Sequence, residues 1–258
     1  MNYTKEQVKE QLIEAGLKAD DILMIHSAFS KVKNIEGGAS ALLEAFKEVI
    51  NDGILLLPSH TWASINYDGA IMNKEVANSC VGYLTNVAIK DSSFIRSNHP
   101  THSVLGYGKK ALKYLESDNE AKTPVSPNGA FGKLKNGGKI LFLGAPLSKN
   151  TFVHSIEEVM NVEDRFTEHI YTFYTKDKDG LHEFHMPRHY STKHPHISEN
   201  YEKLLPIMLR KEIAREVRIM DINAILVDAA KCYDLVISIL KQDIHAFDDL
   251  RDVEKYAG

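Results

Sequence analysis

The chain is short of most things that announce a function. It has only two cysteines, Cys80 and Cys232, which form neither a CxxC pair nor a disulfide framework. This fits a reduced, cytoplasmic setting, with both thiols expected as small buried hydrophobes. No apolar run approaches the roughly eighteen residues that a membrane helix requires, so no membrane partner is expected. Met1 to Glu10 is polar and charged, unlike a signal peptide. Lys and Arg total 31 against 35 Asp and Glu, a net charge of -4, which argues against an overall basic surface for nucleic acid. Neither a Walker A loop, GxGxxG, HExxH nor GxSxG occurs. There is no repeat, low-complexity tract or linker. At 258 residues and 43% hydrophobic, the chain can bury a sizeable core, and residues 1–258 are read as one domain.

The patterns that are present describe an α/β protein. Thr4 with Gln7 forms a capping box that starts a helix ending at Gly16. Asp21–His26 and Gly53–Pro58 read as buried strands around a helix opened by Gly37-Gly38, whose apolar face is Leu42, Leu43, Phe46, Val49 and Ile50. Short β-α-β connections predict that these strands are parallel. Residues 59–79 show no clear period and hold the only tryptophan, Trp62. Helices are predicted over 81–90 and 109–116, with an extended segment around Pro100 between them. Lys139–Leu143 is a further buried strand, closed by Gly144-Ala145-Pro146. Asn150 or Thr151 is a natural N-cap for the next helix. Residues 171–176 and 181–186 flank Asp177-Lys178-Asp179-Gly180 as a β-hairpin, and residues 217–227 and 228–241 read as strands and a helix. The expected architecture is a mainly parallel central sheet flanked by helices, with an antiparallel hairpin added.

Four groups of side chains have the chemistry for a site. His154 and Glu157 are three apart on one helix face, just after a buried strand. An imidazole beside a carboxylate suits a general base, although most such pairs are surface contacts. Arg96-Ser97-Asn98-His99-Pro100-Thr101-His102-Ser103 is a polar loop between strand-like ends, readable as an active-site or a solvated loop. His26-Ser27-Ala28-Phe29-Ser30 joins a strand to a helix, where backbone N–H groups can meet an anion or simply turn the chain. His182, His185, His189, His194 and His196 raise the question of zinc and of a metal-dependent hydrolase. Their spacing speaks against it, because His182 and His185 fall on opposite faces of a hairpin.

Together, and in this order, these segments resemble the aminoglycoside 3-N-acetyltransferase family. The correspondence runs from about residue 20 to 240. It comprises His26-Ser27-x-x-Ser30 with Gly37-Gly38, Gly53–Pro58 with Thr61-Trp62, Arg96-Ser97-x-His99-Pro100-x-x-Ser103, Ser126-Pro127, Leu143-Gly144 and Asn150-Thr151-x-x-His154-x-x-Glu157.

The resemblance implies the antibiotic N-acetyltransferase fold and transfer of an acetyl group from acetyl-CoA to a primary amine of an aminosugar. His154 would be the general base and Glu157 its orienting acid. The pairing is chemically sensible, because a sugar amine must lose a proton to attack and an imidazole titrates near 6.5. By the same resemblance Ser27, Ser30, Arg96, Ser97, Ser103 and Ser126 would meet CoA; Trp62 and His99 from the matched motifs, and His189 from the histidine-dense stretch, are the candidates to meet the acceptor. Oxyanion donors are expected near Ser27–Ser30 or Ser103. Transfer is expected to be direct, and no metal is expected. Residues 63–79 hold only Asp68 and Glu75 as acids, few for a polycationic antibiotic. Both an aminoglycoside and a nucleotide-linked aminosugar therefore stand as acceptors. A non-catalytic relative that binds CoA or an aminosugar, and a homodimer, also stay open.

Overall fold

The computed structural model describes residues 2–28 and 34–256. Its helices are α1 (Lys5–Glu14), α2 (Gly38–Val49), α3 (Tyr83–Ala88), α4 (Ala111–Leu115), α5 (Thr151–Val159), α6 (Leu204–Arg210) and α7 (Ala229–Gln242). Its strands are β1 (Ile22–Ser27), β2 (Ile54–Pro58), β3 (Ala70–Asn73), β4 (Ile95–Arg96), β5 (Val104–Tyr107), β6 (Lys139–Leu143), β7 (Tyr171–Asp177), β8 (Gly180–Met186), β9 (Ala214–Ile219) and β10 (Ile222–Asp228). The Thr4–Gln7 capping box forms as expected, and Gly16 follows α1 with φ at 79°.

Seven strands make the main sheet, in the order β4-β5-β2-β1-β6-β10-β9. At its centre β1 runs parallel to β2 and β6, setting Met24 beside Leu56 and Ile140. The flanking pairs are antiparallel. The central strands read as unbroken apolar runs because both faces are covered. Met24, Leu56, Ile140 and Phe142 pack toward α5 and α7. Leu23, Ile25, Leu55, Leu57 and Leu141 pack toward α1 and α2. Each such buried side chain contributes about 1.5–3 kcal/mol by leaving water.

A second sheet, β3-β7-β8, carries the predicted hairpin plus one strand that the sequence pattern did not disclose. β3 is only four residues, and its inward Ala70 and Met72 join Phe173, Phe184 and Met186 in a small core. The chain leaves β8 toward the carboxyl ends of β1, β2 and β6. Ligands of open parallel sheets bind at that edge.

Candidate active site

Helix α5 is fixed by its buried face, Phe152, Val153 and Ile156, against the sheet. That rotation places His154 at a cavity and drives Glu157 inside, where it is 0% exposed. His154 Nδ1 lies 3.0 Å from Glu157 Oε2. The Tyr201 hydroxyl is 2.7 Å from the same nitrogen and donates to Glu157 Oε2 over 2.6 Å. Arg165 Nε donates to the other oxygen of Glu157 at 2.9 Å, and Arg165 Nη2 donates to Asp248 Oδ1 at 2.7 Å.

These contacts set the charges. Burial alone would raise the Glu157 carboxyl. Its hydrogen bond and charge interaction with His154, the Arg165 charge and the Tyr201 hydroxyl outweigh that and hold it below the usual range. Burial, then the Glu157 charge, pushes the Tyr201 phenol well above its ordinary value, so it keeps its proton and donates. With Nδ1 turned to Glu157 and Tyr201, His154 Nε2 is the nitrogen left for chemistry.

The cavity encloses about 630 Å³ at the carboxyl ends of β1, β2 and β6, where Ser27, Pro58 and Ala145 line it. Its wall includes His26, His60, Trp62, His102, Thr151, Arg188 and His189. The His189 ring lies 4.0 Å from that of His154. Burial lowers the His26 imidazole to about 3, and holds His60, His102 and His189 well below 6.5, so all four are neutral near pH 7. His26 stacks on Phe142 at 5.1 Å, and His60 Nε2 is 3.3 Å from the Thr151 hydroxyl. Thr151 and His154, three apart, share the helix face toward the cavity.

The structure thus brings together His154, Glu157, His189, Trp62 and Ser27. Other expected site residues lie elsewhere. Arg96 is buried with its donors spent on Ser103 Oγ and the carbonyls of Lys74, Ala77 and Ser59. Ser103 also binds Ser59, and Ser97 accepts from Val104 N. Among the described residues these three close the loop between β4 and β5 and do not line the cavity. Of the places expected to supply oxyanion donors, Ser27 lines the cavity and Ser103 does not. Ser126 and His99 face a separate small hollow behind Phe131. His99 Nδ1 accepts from the backbone of Thr101 and His102, which leaves Nε2–H to donate to Thr123 O. From this loop it is Thr101 and His102 that reach the cavity. Ser30 lies outside the described residues. Asn150 holds the N-cap position of α5 but makes no capping bond, and both its side-chain polar atoms are buried without partners. Cys80, expected to be buried, is exposed at the cavity wall, while Cys232 is buried.

Residues 24–241 match the family model described as aminoglycoside 3-N-acetyltransferase. The chain belongs to that family. Aminoglycoside N(3)-acetyltransferase III of Salmonella sp. is 24% identical over 182 residues, covering 63% of this chain and 63% of that protein. The match thus spans under two thirds of the relative's length. Among solved structures, the aminoglycoside acetyltransferase AAC(3)-IVa apoenzyme superposes with a TM-score of 0.80 at 19% identity, over 96% of this chain and 92% of that one. AAC-IIIb in a binary complex with CoASH gives 0.80 at 18% identity, over 94% and 97%.

In this aminoglycoside 3-N-acetyltransferase family member the histidine-rich stretch does not gather around a metal. His182 turns to Asp177 at 3.0 Å, His185 to Glu183 at 2.7 Å and His194 toward Asp248 at 3.6 Å. Among the described residues the one set with metal-ligand proximity is His154, Glu157 and His189. There both Glu157 oxygens are already engaged, one of them by the Arg165 cation, which opposes a second positive charge. Tyr201, Arg165 and Asp248 gave no sequence signal: Tyr201 reaches the pair from 44 residues beyond Glu157, Arg165 from the irregular segment after α5, and Asp248 acts through Arg165.

Proposed function

We propose that the chain is an acetyl-CoA-dependent N-acetyltransferase acting on a primary amine of an aminosugar, with His154 as general base. The observation that carries this is the bonding of His154 Nδ1 to Glu157 and Tyr201 at a cavity wall. The acceptor amine attacks the acetyl carbonyl carbon. A C–N bond forms, His154 Nε2 takes the amine proton, the C–S bond breaks and CoA leaves as the thiol after protonation. Buried Glu157 fixes the tautomer and balances the imidazolium, with Tyr201 and Arg165 keeping it charged and in place. The Thr151 hydroxyl stands on the same helix face as a donor to the developing oxyanion.

Ser27, Ser148 and Lys149, all on the cavity wall, are the residues proposed for CoA, with Trp62 as a flat surface for the sugar. Direct transfer fits better than a thioester on the protein, because Cys80, although exposed as a residue, has its thiol partly desolvated at the cavity wall, which raises it and disfavours the thiolate. The whole chain is taken as one catalytic domain working in a reduced cytoplasm. No helix among the described residues is long and apolar enough to cross a membrane.

The test is release of CoA thiol from acetyl-CoA in the presence of an amine panel. His154→Ala is expected to lower the rate by about a hundredfold or more while acetyl-CoA still raises the melting temperature. Full activity in that variant removes His154 as the base.

A further inference from the structure

Amine acceptors differ most in charge. An aminoglycoside carries several ammonium groups, and a site that selects it needs carboxylates facing it. The described lining of the cavity contains no Asp or Glu. Glu157, the acid beside the base, has both oxygens engaged by Arg165, Tyr201 and His154, and Glu202 accepts the Ser148 backbone N–H. In a chain of net charge -4, the charged side chains on the described cavity wall are two cations, Lys149 and Arg188.

Neither cation has a carboxylate partner among the described residues. Arg188 rests over the ring of Tyr171, 5.7 Å from its centroid. Arg188 lines the same cavity as His154 and as His189, whose ring is 4.0 Å from that of His154. Lys149 stands on the turn before α5. CoA is itself an anion, and the reading above gives it Lys149, which leaves Arg188 for the acceptor.

We infer that the acceptor is a monoamine bearing an anionic group, a phosphate or diphosphate ester of an aminosugar, held by Arg188 with its ring against Trp62. A polycationic aminoglycoside is not the selected substrate. This rests on the transferase reading above and names its acceptor. Guanidinium forks suit phosphate oxygens. Trp62 is 46% exposed, a free aromatic surface for a sugar or base.

The experiment measures acetyl transfer and, separately, calorimetric binding to the CoA-loaded protein. The acceptors are an aminosugar phosphate, a nucleoside-diphosphate aminosugar, a methyl aminosugar monosaccharide with one amine and no anionic group, and gentamicin. The anionic acceptors are expected to bind and react at least about tenfold better than the other two, with the advantage shrinking as salt rises. The two anionic probes separate a simple phosphate ester from a nucleotide carrier. Arg188→Gln is expected to raise the KM of the anionic acceptor about tenfold or more while the KM of acetyl-CoA holds. Preference for gentamicin, or an effect of Arg188→Gln on acetyl-CoA alone, overturns the inference. Absence of transfer to every amine refutes the transferase reading, and the binding order then decides the charge preference on its own.

Discussion

The Tyr201 hydroxyl lies 2.7 Å from His154 Nδ1 although the two residues are 47 positions apart in the chain. Tyr201 is fully buried and also binds Glu157. The basic imidazole is therefore gripped from two directions. Tyr201→Phe keeps the ring volume and removes the grip. We expect kcat to fall about tenfold with little change in acetyl-CoA KM, and stability to fall by about 1 kcal/mol, or about 2–4 °C in melting temperature. An unchanged kcat shows that Glu157 alone orients the base.

Arg165 and Glu157 form a buried ion pair, 2% and 0% exposed at their side chains. Arg165→Met leaves the Glu157 carboxylate buried without its cation, a loss of about 3–5 kcal/mol. Adding Glu157→Gln to that variant should recover a good part of the stability without recovering activity. Urea unfolding of the wild type, both single variants and the double variant measures the coupling. If the double variant is as unstable as the sum of the singles, the pair is not coupled.

Four cavity histidines, His26, His60, His102 and His189, have imidazoles depressed by burial, His26 to about 3. As pH falls below about 6.5 the unfolded chain takes up their protons while the folded chain does not. The unfolded state then binds more protons, so stability falls with pH, by up to about 1.4 kcal/mol per histidine per pH unit. Melting temperature is expected to be flat between pH 7 and 8 and to drop steeply below about pH 6. A melting temperature that is level from pH 8 to 5 contradicts the buried, neutral assignment.

Arg96 is a structural cation in this chain. Its guanidinium ties the β4–β5 loop to Ser59, Ser103, Lys74 and Ala77. Arg96→Gln should lower the melting temperature, a loss of about 1.5–3 kcal/mol, with acetyl-CoA KM near wild type in whatever folded protein remains. A large rise in that KM at unchanged stability returns Arg96 to the cosubstrate.

The central strands were legible because burial on both faces demands unbroken apolar runs, and Leu23–Ile25, Ile54–Leu57 and Ile140–Leu143 supply them. The β7–β8 hairpin was legible from its Asp-Lys-Asp-Gly turn. β3 was not, because Ala70–Asn73 is too short for a period to show. Arg96 and Ser103 looked like ligand donors because a motif names residues without saying where their hydrogen bonds go. Their partners are carbonyls and hydroxyls brought in from residues 59, 74 and 77, which no local pattern encodes.

The sequence by itself determined the family, the helix and strand periods, and the pairing of His154 with Glu157, since residues three apart on a helix share a face. Only the tertiary structure decided the rest. It buried Glu157, brought Tyr201 and Arg165 to it, turned the expected CoA-binding residues Arg96, Ser97 and Ser103 into internal supports, and left a cavity whose described wall carries two cations and no carboxylate. The physical reason is that charge state and hydrogen-bond supply are set by what packs around a side chain, and those neighbours come from distant parts of the chain.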